Sequence, residues 1–403
     1  MSTFGGRMQE IPDVSVDNFE NENLRSTAFF LSHAHMDHMR GLYEVAFYER
    51  LQTAEREGYN VYLYCTDITR VYLMNMSGKK LNKYIKVLQL GPSLIDVPFS
   101  ENPHDSRTLA VTCIPAGHCP GSVMFLFETD KFNVLYTGDF RILPEDICKF
   151  TSLRNGQSVK KIHTLYLDTT FLDRAYYYFP SRAESASTVC NRIQEWLQLS
   201  PNHMVVIDLP AHCGTEFIFA KIKETLGIKV HVKRNKYLQY EGIEEIRTCL
   251  TDDRFTRVHA CCRRDEVQGT YLPCRGDGYH TRIIKPSAMW FRSSAKGRKP
   301  LSKTSRDGYH CKVAQSSHAS FKELADFIYM LKPNHIIPTA VPPSKSRREV
   351  LKILKELLSN AAAAENIQQD SCSALESDTS SDESFELRIE SVEEHLCDGL
   401  LNF

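Results

Sequence analysis

Short apolar runs bounded by Gly and Pro recur through the first half of the chain, and their length and composition predict sheet strands. The predicted strands are residues 28–31, 61–64, 109–114, 123–127, 134–136 and 165–167. Beyond Pro180 the pattern changes, because helical spacing over 184–197 and 215–226 alternates with short strands at 204–207 and 230–232. Ser181 is the predicted N-cap of the first of these helices. The pattern predicts an α/β protein.

The same change of pattern predicts the domain organisation. Residues 169–312 are interpreted as an α/β insertion between two parts of another domain, residues 1–168 and 313–358. A last helix is predicted over 347–358. The Ser, Asp and Glu content of residues 359–403 then predicts a disordered acidic tail.

Composition supports a globular protein with an uneven charge distribution. The chain has 403 residues, of which 42% are hydrophobic and 25% charged, enough for a large core and two globular units. Residues 359–403 carry eleven acids and one base, so this tail has a net charge of −10 and the remainder +9 of the overall −1. A basic body suits a polyanionic partner such as nucleic acid, although solubility explains it equally well.

The chain is expected to be an intracellular protein with reduced thiols. It contains no apolar run of about eighteen residues, and residues 1–10 lack the regions of a signal peptide, so neither membrane insertion nor secretion is predicted. The 13 cysteines are scattered along the chain without export signals. They are therefore interpreted as mostly buried thiols rather than a disulfide framework.

The stretch from Ser32 to His38, with the sequence Ser-His-Ala-His-Met-Asp-His, carries the strongest chemical signal in the chain. It follows a predicted strand and offers four potential metal ligands within six residues. Alternate residues of an extended segment point the same way, so His33 and His35 can hold one metal while Asp37 and His38 face a second. The alternative is a polar turn with chance histidines, which the scarcity of His (15 in 403) disfavours.

Two further ligands are expected to arrive from other strand ends. His118 lies in a Gly- and Pro-rich loop between two predicted strands, and Asp139 ends a strand in the sequence Thr-Gly-Asp. Each residue alone would more often be an ordinary turn residue. Because they follow the His-rich segment in the chain and lie at the ends of other predicted strands, His118 and Asp139 are predicted ligands, and Asp139 could bridge two ions.

These motifs resemble those of the metallo-β-lactamase-fold hydrolases: HAHMDH, then PAGHCPGS, then TGDFR. Asp168 in LDTT and His318 in SSH are similar to motifs of the β-CASP branch, whose members cut nucleic acids. Within that branch the sequence resembles DNA-repair nucleases from its opening residues, MSTF, through IKPSAMWF to about residue 358. The resemblance implies a metallo-β-lactamase αββα sandwich with an inserted β-CASP α/β domain.

The resemblance also implies the ligand sets. The first metal is assigned to His33, His35, His118 and Asp139, and the second to Asp37, His38, Asp139 and His318. Asp37, His38, Asp139, Asp168 and His318 are the expected catalytic residues, with Asp168 orienting a ligand or a water; its alternative is a strand-end cap. Mixed imidazole and carboxylate ligands favour zinc, with one or two catalytic ions and with magnesium or manganese as candidates for the second position.

A separate structural zinc site is predicted from two histidines and two cysteines, because such a set suits closed tetrahedral coordination. The candidates, His231, His259, Cys261 and Cys274, match a site that members of this branch carry in the β-CASP domain. Spacing alone would not identify it, since the four residues are far apart in sequence and Cys262 offers a competing thiol.

Basic residues near Trp290 form the predicted DNA contact. Lys296, Arg298 and Lys299 lie in a Gly- and Ser-containing stretch that could contact phosphates and unpaired bases; a solvated face is the alternative. The sequence departs from its relatives at Ala34 and Met36, where they have Cys and Lys, which removes one basic contact beside the metals. No His-Gly pair of the kind found in RNA-cutting members occurs near residues 336–340, which favours DNA over RNA.

The expected function is that of a nuclear, metal-dependent DNA nuclease in repair by non-homologous end joining. It combines endonuclease activity, which opens hairpins and trims overhangs, with 5′-to-3′ exonuclease activity. The family resemblance implies complexes with a DNA-dependent kinase and a ligase, although the tail is shorter than the regulatory tails of relatives. Alternatives are a 5′ exonuclease for telomere ends or interstrand crosslinks, an RNA-processing nuclease, an inactive scaffold and a small-molecule hydrolase.

Overall fold

The computed structural model describes residues 2–375 except 77, 148, 157, 210–213 and 296–298. The predicted DNA contacts Lys296 and Arg298 therefore lie outside the described residues, as do residues 376–403 of the predicted acidic tail. Within the described part of the chain, no helix is both long and apolar enough to span a bilayer.

The described residues contain nineteen strands and nine α-helices. The strands are β1 (Val14–Val16), β2 (Ala28–Phe30), β3 (Tyr62–Cys65), β4 (Ile85–Val87), β5 (Gly91–Pro98), β6 (Ser106–Pro115), β7 (Val123–Glu128), β8 (Asn133–Tyr136), β9 (Arg154–Asn155), β10 (Ser158–Val159), β11 (Thr164–Leu167), β12 (His203–Ile207), β13 (Val230–His231), β14 (Leu250–Thr251), β15 (Val258–His259), β16 (His280–Pro286), β17 (Ser302–Thr304), β18 (His310–Val313) and β19 (His335–Pro338). The helices are α1 (Val45–Arg56), α2 (Asp67–Met76), α3 (Pro144–Ile147), α4 (Arg182–Leu197), α5 (Glu216–Leu226), α6 (Arg234–Gln239), α7 (Glu244–Arg247), α8 (Phe321–Leu331) and α9 (Arg347–Leu375).

Two sheets pack face to face between two layers of helices. One sheet has the order β1-β2-β3-β4, and the other has the order β19-β11-β8-β7-β6-β5. Alternate residues of β2 serve different layers: Phe30 packs between the sheets with Tyr136, whereas Phe29 packs under α1 with Phe47. On the far side of the second sheet, residues such as Leu324 of α8 cover its outer face. This is the αββα sandwich that the resemblance implied.

Strands β12 to β18 form a seven-stranded sheet with the order β14-β13-β15-β12-β16-β18-β17. Only the β17–β18 pair is antiparallel, and helices α4 and α5 pack on one face of this sheet. The chain then returns to the sandwich, where β19 pairs in parallel with β11. This order fits an inserted α/β domain, although β18 crosses the predicted boundary at 312/313 by one residue and the exact domain limits stay predictions.

The strand predictions agree with the structure to within three residues at each end. Ser181 is the N-cap of α4, and its side chain accepts a hydrogen bond from the backbone N–H of Glu184 in a capping box. Other elements differ from the prediction. Helices α1, α2 and α8 and the edge strand β5 are among the elements that were not predicted, and α9, predicted to end at residue 358, continues to Leu375.

Candidate metal centre

Strand ends bring the predicted ligands to one place. The segment from Ser32 follows β2, His118 lies in the loop between β6 and β7, and Asp139 follows β8. Gly138 permits the close approach of two of these ends: a Cβ atom there would lie 2.8 Å from Ser32 Oγ, and the residue has a φ of +54°. This conformation favours glycine, and the absence of a side chain leaves room for Ser32, so Gly138 allows Asp139 to face the histidines.

The first predicted ligand set forms a compact cluster. One ligand atom from each of His33, His35, His118 and Asp139 lies within 4.8 Å of the others. The His35 Nδ1 atom lies 3.0 Å from the Nε2 atoms of both His33 and His118. These Nε2 atoms lie 3.7 and 3.6 Å from Asp139 Oδ2. Donor atoms at these distances can share one ion.

The second predicted set surrounds Asp139 less tightly. His38 Nε2 lies 3.3 Å from Asp139 Oδ1, and His318 Nε2 lies 3.9 Å from Asp139 Oδ2. Asp37 is the most distant member, because its Oδ2 atom is 4.0 Å from His38 Nε2 and accepts a hydrogen bond from the backbone N–H of Ser2. His38 Nε2 is buried and has no hydrogen-bond partner among the described residues. An ion bound to this nitrogen would remove the cost of leaving it buried and unpaired.

Asp17, which sequence reasoning missed, fixes the orientation of His38. It is buried directly after β1, and its Oδ2 atom lies 2.7 Å from His38 Nδ1. The same carboxylate accepts hydrogen bonds from the N–H and hydroxyl of Ser32, at 2.7 and 2.5 Å, and from the Tyr136 hydroxyl at 2.9 Å. The available signal was a carboxylate directly after a short apolar strand, Val-Ser-Val-Asp.

The other histidines are held in the same way. His318 Nδ1 lies 2.8 Å from Asp168 Oδ2, and the other Asp168 oxygen accepts hydrogen bonds from the backbone and hydroxyl of Thr170. His118 Nδ1 lies 3.0 Å from the carbonyl oxygen of Ser317. Asp168 thus contacts a predicted ligand and also makes the turn contacts of a strand-end cap. Because the Nδ1 atoms of His118 and His318 are held by these contacts, their Nε2 atoms point toward Asp139.

The electrostatics of the cluster suit cation binding. Burial, reinforced by the neighbouring His38, holds the pKa of His33 well below its ordinary value, and burial with His318 does the same for the pKa of His118. Burial acts to raise the pKa of Asp139, but His38 and His318 outweigh it and hold that pKa well below the usual range. Two neutral imidazoles therefore face an ionised carboxylate, which is the state a metal ion requires.

The electrostatics differ for His38 and His318. Burial acts to lower the pKa of His38, but Asp139 and Asp17 outweigh it, so the net pKa lies well above the ordinary value. Asp168 and Asp139 likewise outweigh burial at His318 and raise its pKa. A proton therefore competes with an ion for these two rings.

A second cluster joins His231, His259, Cys261 and Cys274, with ligand atoms within 4.8 Å of one another. The two Nδ1 atoms are 3.1 Å apart, the two Sγ atoms are 3.5 Å apart, and Cys274 Sγ lies 3.3 Å from His259 Nδ1. Ligands about 2.0–2.3 Å from a tetrahedral zinc are separated by distances of this size. The residues present fit the predicted structural ion.

Comparisons with known proteins find relatives of the chain among DNA-repair proteins. Residues 244–344 match the family described as DNA repair metallo-beta-lactamase. The chain is 39% identical over 370 residues to protein artemis of Gallus gallus, covering 89% of this chain and 50% of that protein. It is 37% identical over 376 residues to protein artemis of Homo sapiens, covering 91% and 53%.

The chain is a homologue of Artemis. It is also 29% identical over 357 residues to DNA cross-link repair 1A protein of Mus musculus, covering 85% of this chain and 31% of that protein. The chain spans about half the length of the Artemis proteins it matches. Residues 244–344 include three members of the Cys-His cluster and the centre residue His318.

One of the three predicted DNA contacts in this Artemis homologue is described. Lys299 is exposed, but its ammonium donates a hydrogen bond to the carbonyl of Arg292 and its backbone N–H donates to the Tyr178 hydroxyl. The neighbouring Trp290 indole donates to the carbonyl of Val313. The role of the basic stretch in DNA binding stays a prediction.

Proposed function

We propose that the chain is a metal-dependent phosphodiesterase that cuts DNA. The observation that carries this proposal is the convergence of His33, His35, His118 and Asp139 within 4.8 Å, with the unpaired His38 Nε2 atom beside them. This donor set has the chemistry for zinc in the first position, with zinc, magnesium or manganese in the second. The Cys-His cluster would hold a structural zinc.

The chain's own residues have separate tasks in this proposal. Asp17 and Asp168 hold His38 and His318 from their outer ring nitrogens, and Asp139 stands between the two ligand sets. When bound, the ions activate water as a nucleophile and offset charge on the phosphodiester. Asp37 is partly exposed at the rim of the centre and is suited to the approach of a polymer from solvent.

DNA is the proposed substrate because of the homology to Artemis and the +9 charge outside residues 359–403. The specific activity that we propose is an endonuclease that opens hairpins and trims overhangs, with a 5′-to-3′ exonuclease activity, in non-homologous end joining. A nuclear location follows from that role. The kinase and ligase complexes implied by resemblance stay predictions.

The similarity to DNA cross-link repair 1A protein favours one alternative. In this second reading the chain is a 5′ exonuclease that acts on crosslinked or telomeric ends rather than on hairpins. Both readings use the same metal centre, so the substrate distinguishes them.

A nuclease assay on defined substrates tests the proposal. The purified full chain would be given a DNA hairpin, a duplex with a single-stranded overhang, a blunt 5′-phosphorylated duplex and an RNA strand, each with and without a chelator. Asp37→Ala is the inactive variant, and Asp96→Ala, at an exposed position of β5, is the matched control.

We expect chelator-sensitive cutting of hairpin and overhang, lost in Asp37→Ala and kept in Asp96→Ala. Preference for the blunt duplex would support the exonuclease alternative, and preference for RNA would overturn the choice of DNA. Full activity after thorough chelation would overturn the proposal.

A further inference from the structure

A pocket of about 300 Å³ lies beside the metal centre and shares His118 with it. The loop from Gly117 to Ser122 forms one wall, and Ile68, Leu90 and Phe217 provide much of the apolar surface. Arg182, at the first position of α4, also lines the pocket. Mostly apolar walls with a few polar groups are typical of sites for small organic molecules.

Arg182 is the decisive group in this pocket. Its Nη2 atom is buried and has no hydrogen-bond partner within the described part of the chain. Burial, with the neighbouring Arg141, lowers its pKa to about 10, so the guanidinium is charged at neutral pH. A buried N–H donor of a charged group without an acceptor is unfavourable. A ligand that supplies an acceptor would remove this cost.

Neighbouring groups do not satisfy this Nη2 atom. The nearby acceptors are used by Arg141, which donates to Glu323 and to the carbonyl oxygens of Ser316 and Pro180. Glu216 also lines the pocket, but its carboxylate accepts hydrogen bonds from Gly214 N at 2.6 Å and from the Tyr240 hydroxyl at 2.7 Å. No ion pair joins Glu216 to Arg182 among the residues described.

Two helices add to the attraction for an anion. Helix α4 begins at Arg182, and α5 begins at Glu216, so both N-termini contribute residues to the pocket. The N-terminal end of a helix carries a partial positive charge and favours phosphate. At the start of α5, the N-cap residue Thr215 makes no side-chain capping bond, and its buried hydroxyl has no partner among described residues.

We infer that this pocket is a nucleotide subsite, in which Arg182 receives a phosphate and the apolar walls receive the attached base. This deepens, and rests on, the proposed function, because a DNA nucleotide next to the cleaved bond would have both parts. Arginine binds phosphate with a planar fork of N–H donors. The apolar walls provide the surface on which a base can pack without hydrogen-bond readout.

Binding of a mononucleotide to the full chain tests the inference. The dissociation constants of deoxyadenosine monophosphate, deoxyadenosine and inorganic phosphate would be measured by calorimetry. Arg182→Met removes the charge at similar length, and Leu90→Glu changes an exposed part of the wall, where Leu90 is 48% accessible. Arg192→Met, on the same helix and ion-paired with Glu195, is the matched control.

We expect the nucleotide to bind the wild-type chain at least 10-fold more tightly than either fragment. Both pocket variants should weaken nucleotide binding at least 10-fold, with metal content unchanged, and Arg192→Met should bind as the wild type does. Equal binding of phosphate and nucleotide, or undiminished nucleotide binding in Arg182→Met and Leu90→Glu, would overturn the inference. Leu90→Glu keeps the test decisive if Arg182→Met fails to fold.

The outcome is separable from that of the nuclease assay. A chain that cuts DNA but does not bind the mononucleotide through Arg182 would retain the proposed function and lose the subsite. Conversely, Arg182-dependent nucleotide binding without any nuclease activity would keep the subsite and remove the proposed function.

Discussion

Replacing Asp17 with Asn should impair the metal centre although Asp17 lies outside both predicted ligand sets. The Asp17 carboxylate accepts four hydrogen bonds, from His38 Nδ1, the Tyr136 hydroxyl and both polar groups of Ser32. Asparagine keeps the size of the side chain and tolerates the φ of +56° found at this residue. It offers one acceptor oxygen in place of two, and its NH2 group can only donate.

The substituted amide would act on the proton of His38. If the amide donates to Nδ1, the neutral ring carries its proton on Nε2, the atom that faces Asp139 at 3.3 Å. That tautomer cannot bind a metal through Nε2. Loss of an outer partner of a metal-binding histidine costs about 10–100-fold in metal affinity or activity. The corresponding free energy is about 1.4–2.7 kcal/mol.

Metal titration of the purified variant checks this expectation. Metal content would be measured by mass spectrometry, and the rate of DNA cutting would be followed against metal concentration. Asp13→Asn is the control, because Asp13 is also buried beside β1 but pairs with Arg107, away from the histidines. If folded Asp17→Asn had the same metal affinity and the same rate of DNA cutting as Asp13→Asn, the reasoning would be refuted.

Three further predictions concern the two clusters and the core. Asp139→Ala should lower the nuclease rate by more than about 100-fold, since this carboxylate lies beside both ligand sets; a rate within 10-fold of wild type would contradict it. Cys274→Ser should lower the zinc content by one ion per chain, measured by elemental analysis, and destabilise the fold by about 4 kcal/mol or more, measured by thermal unfolding. The control variant Cys262→Ser should leave the zinc content unchanged. Leu324→Ala, at a fully buried position of α8, should cost about 2–5 kcal/mol in denaturant unfolding, whereas the same change at Tyr329, which is 45% exposed, should cost less than about 1 kcal/mol.

The ligands could be predicted because their chemistry is written locally in the sequence. His33 and His35 alternate after an apolar strand, and His118 and Asp139 lie in short Gly-containing turns. The convergence of these residues was an inference from their order and company, and the structure brings all four together. The Cys-His cluster needed family resemblance, since parallel pairing of β13 with β15, opposite one another at His231 and His259, cannot be read from spacing.

The missed features depend on tertiary structure or on local exceptions to simple patterns. Asp17 is a single carboxylate whose four partners come from other segments. Strand β5 contains Pro92 and Pro98, which argue against a strand, but it is the edge of its sheet, where proline is tolerated. The unpaired Nη2 atom of Arg182 had no signal in the sequence, because a missing partner is a property of the packed molecule.

The pairing of β19 with β11 has a consequence for how the protein is made. About 170 residues separate the paired segments, Thr164–Leu167 and His335–Pro338. Strand β11 is therefore synthesised long before β19. Until β19 is made, β11 remains an edge strand, unpaired on the β19 side, while the residues of the seven-stranded sheet are synthesised. Such an edge favours association with other chains. A fragment of residues 1–168 alone would leave the β11 edge unpaired. A better fragment for isolating the sandwich would join β11 through a short linker to the segment that precedes α8, so that β19 is included.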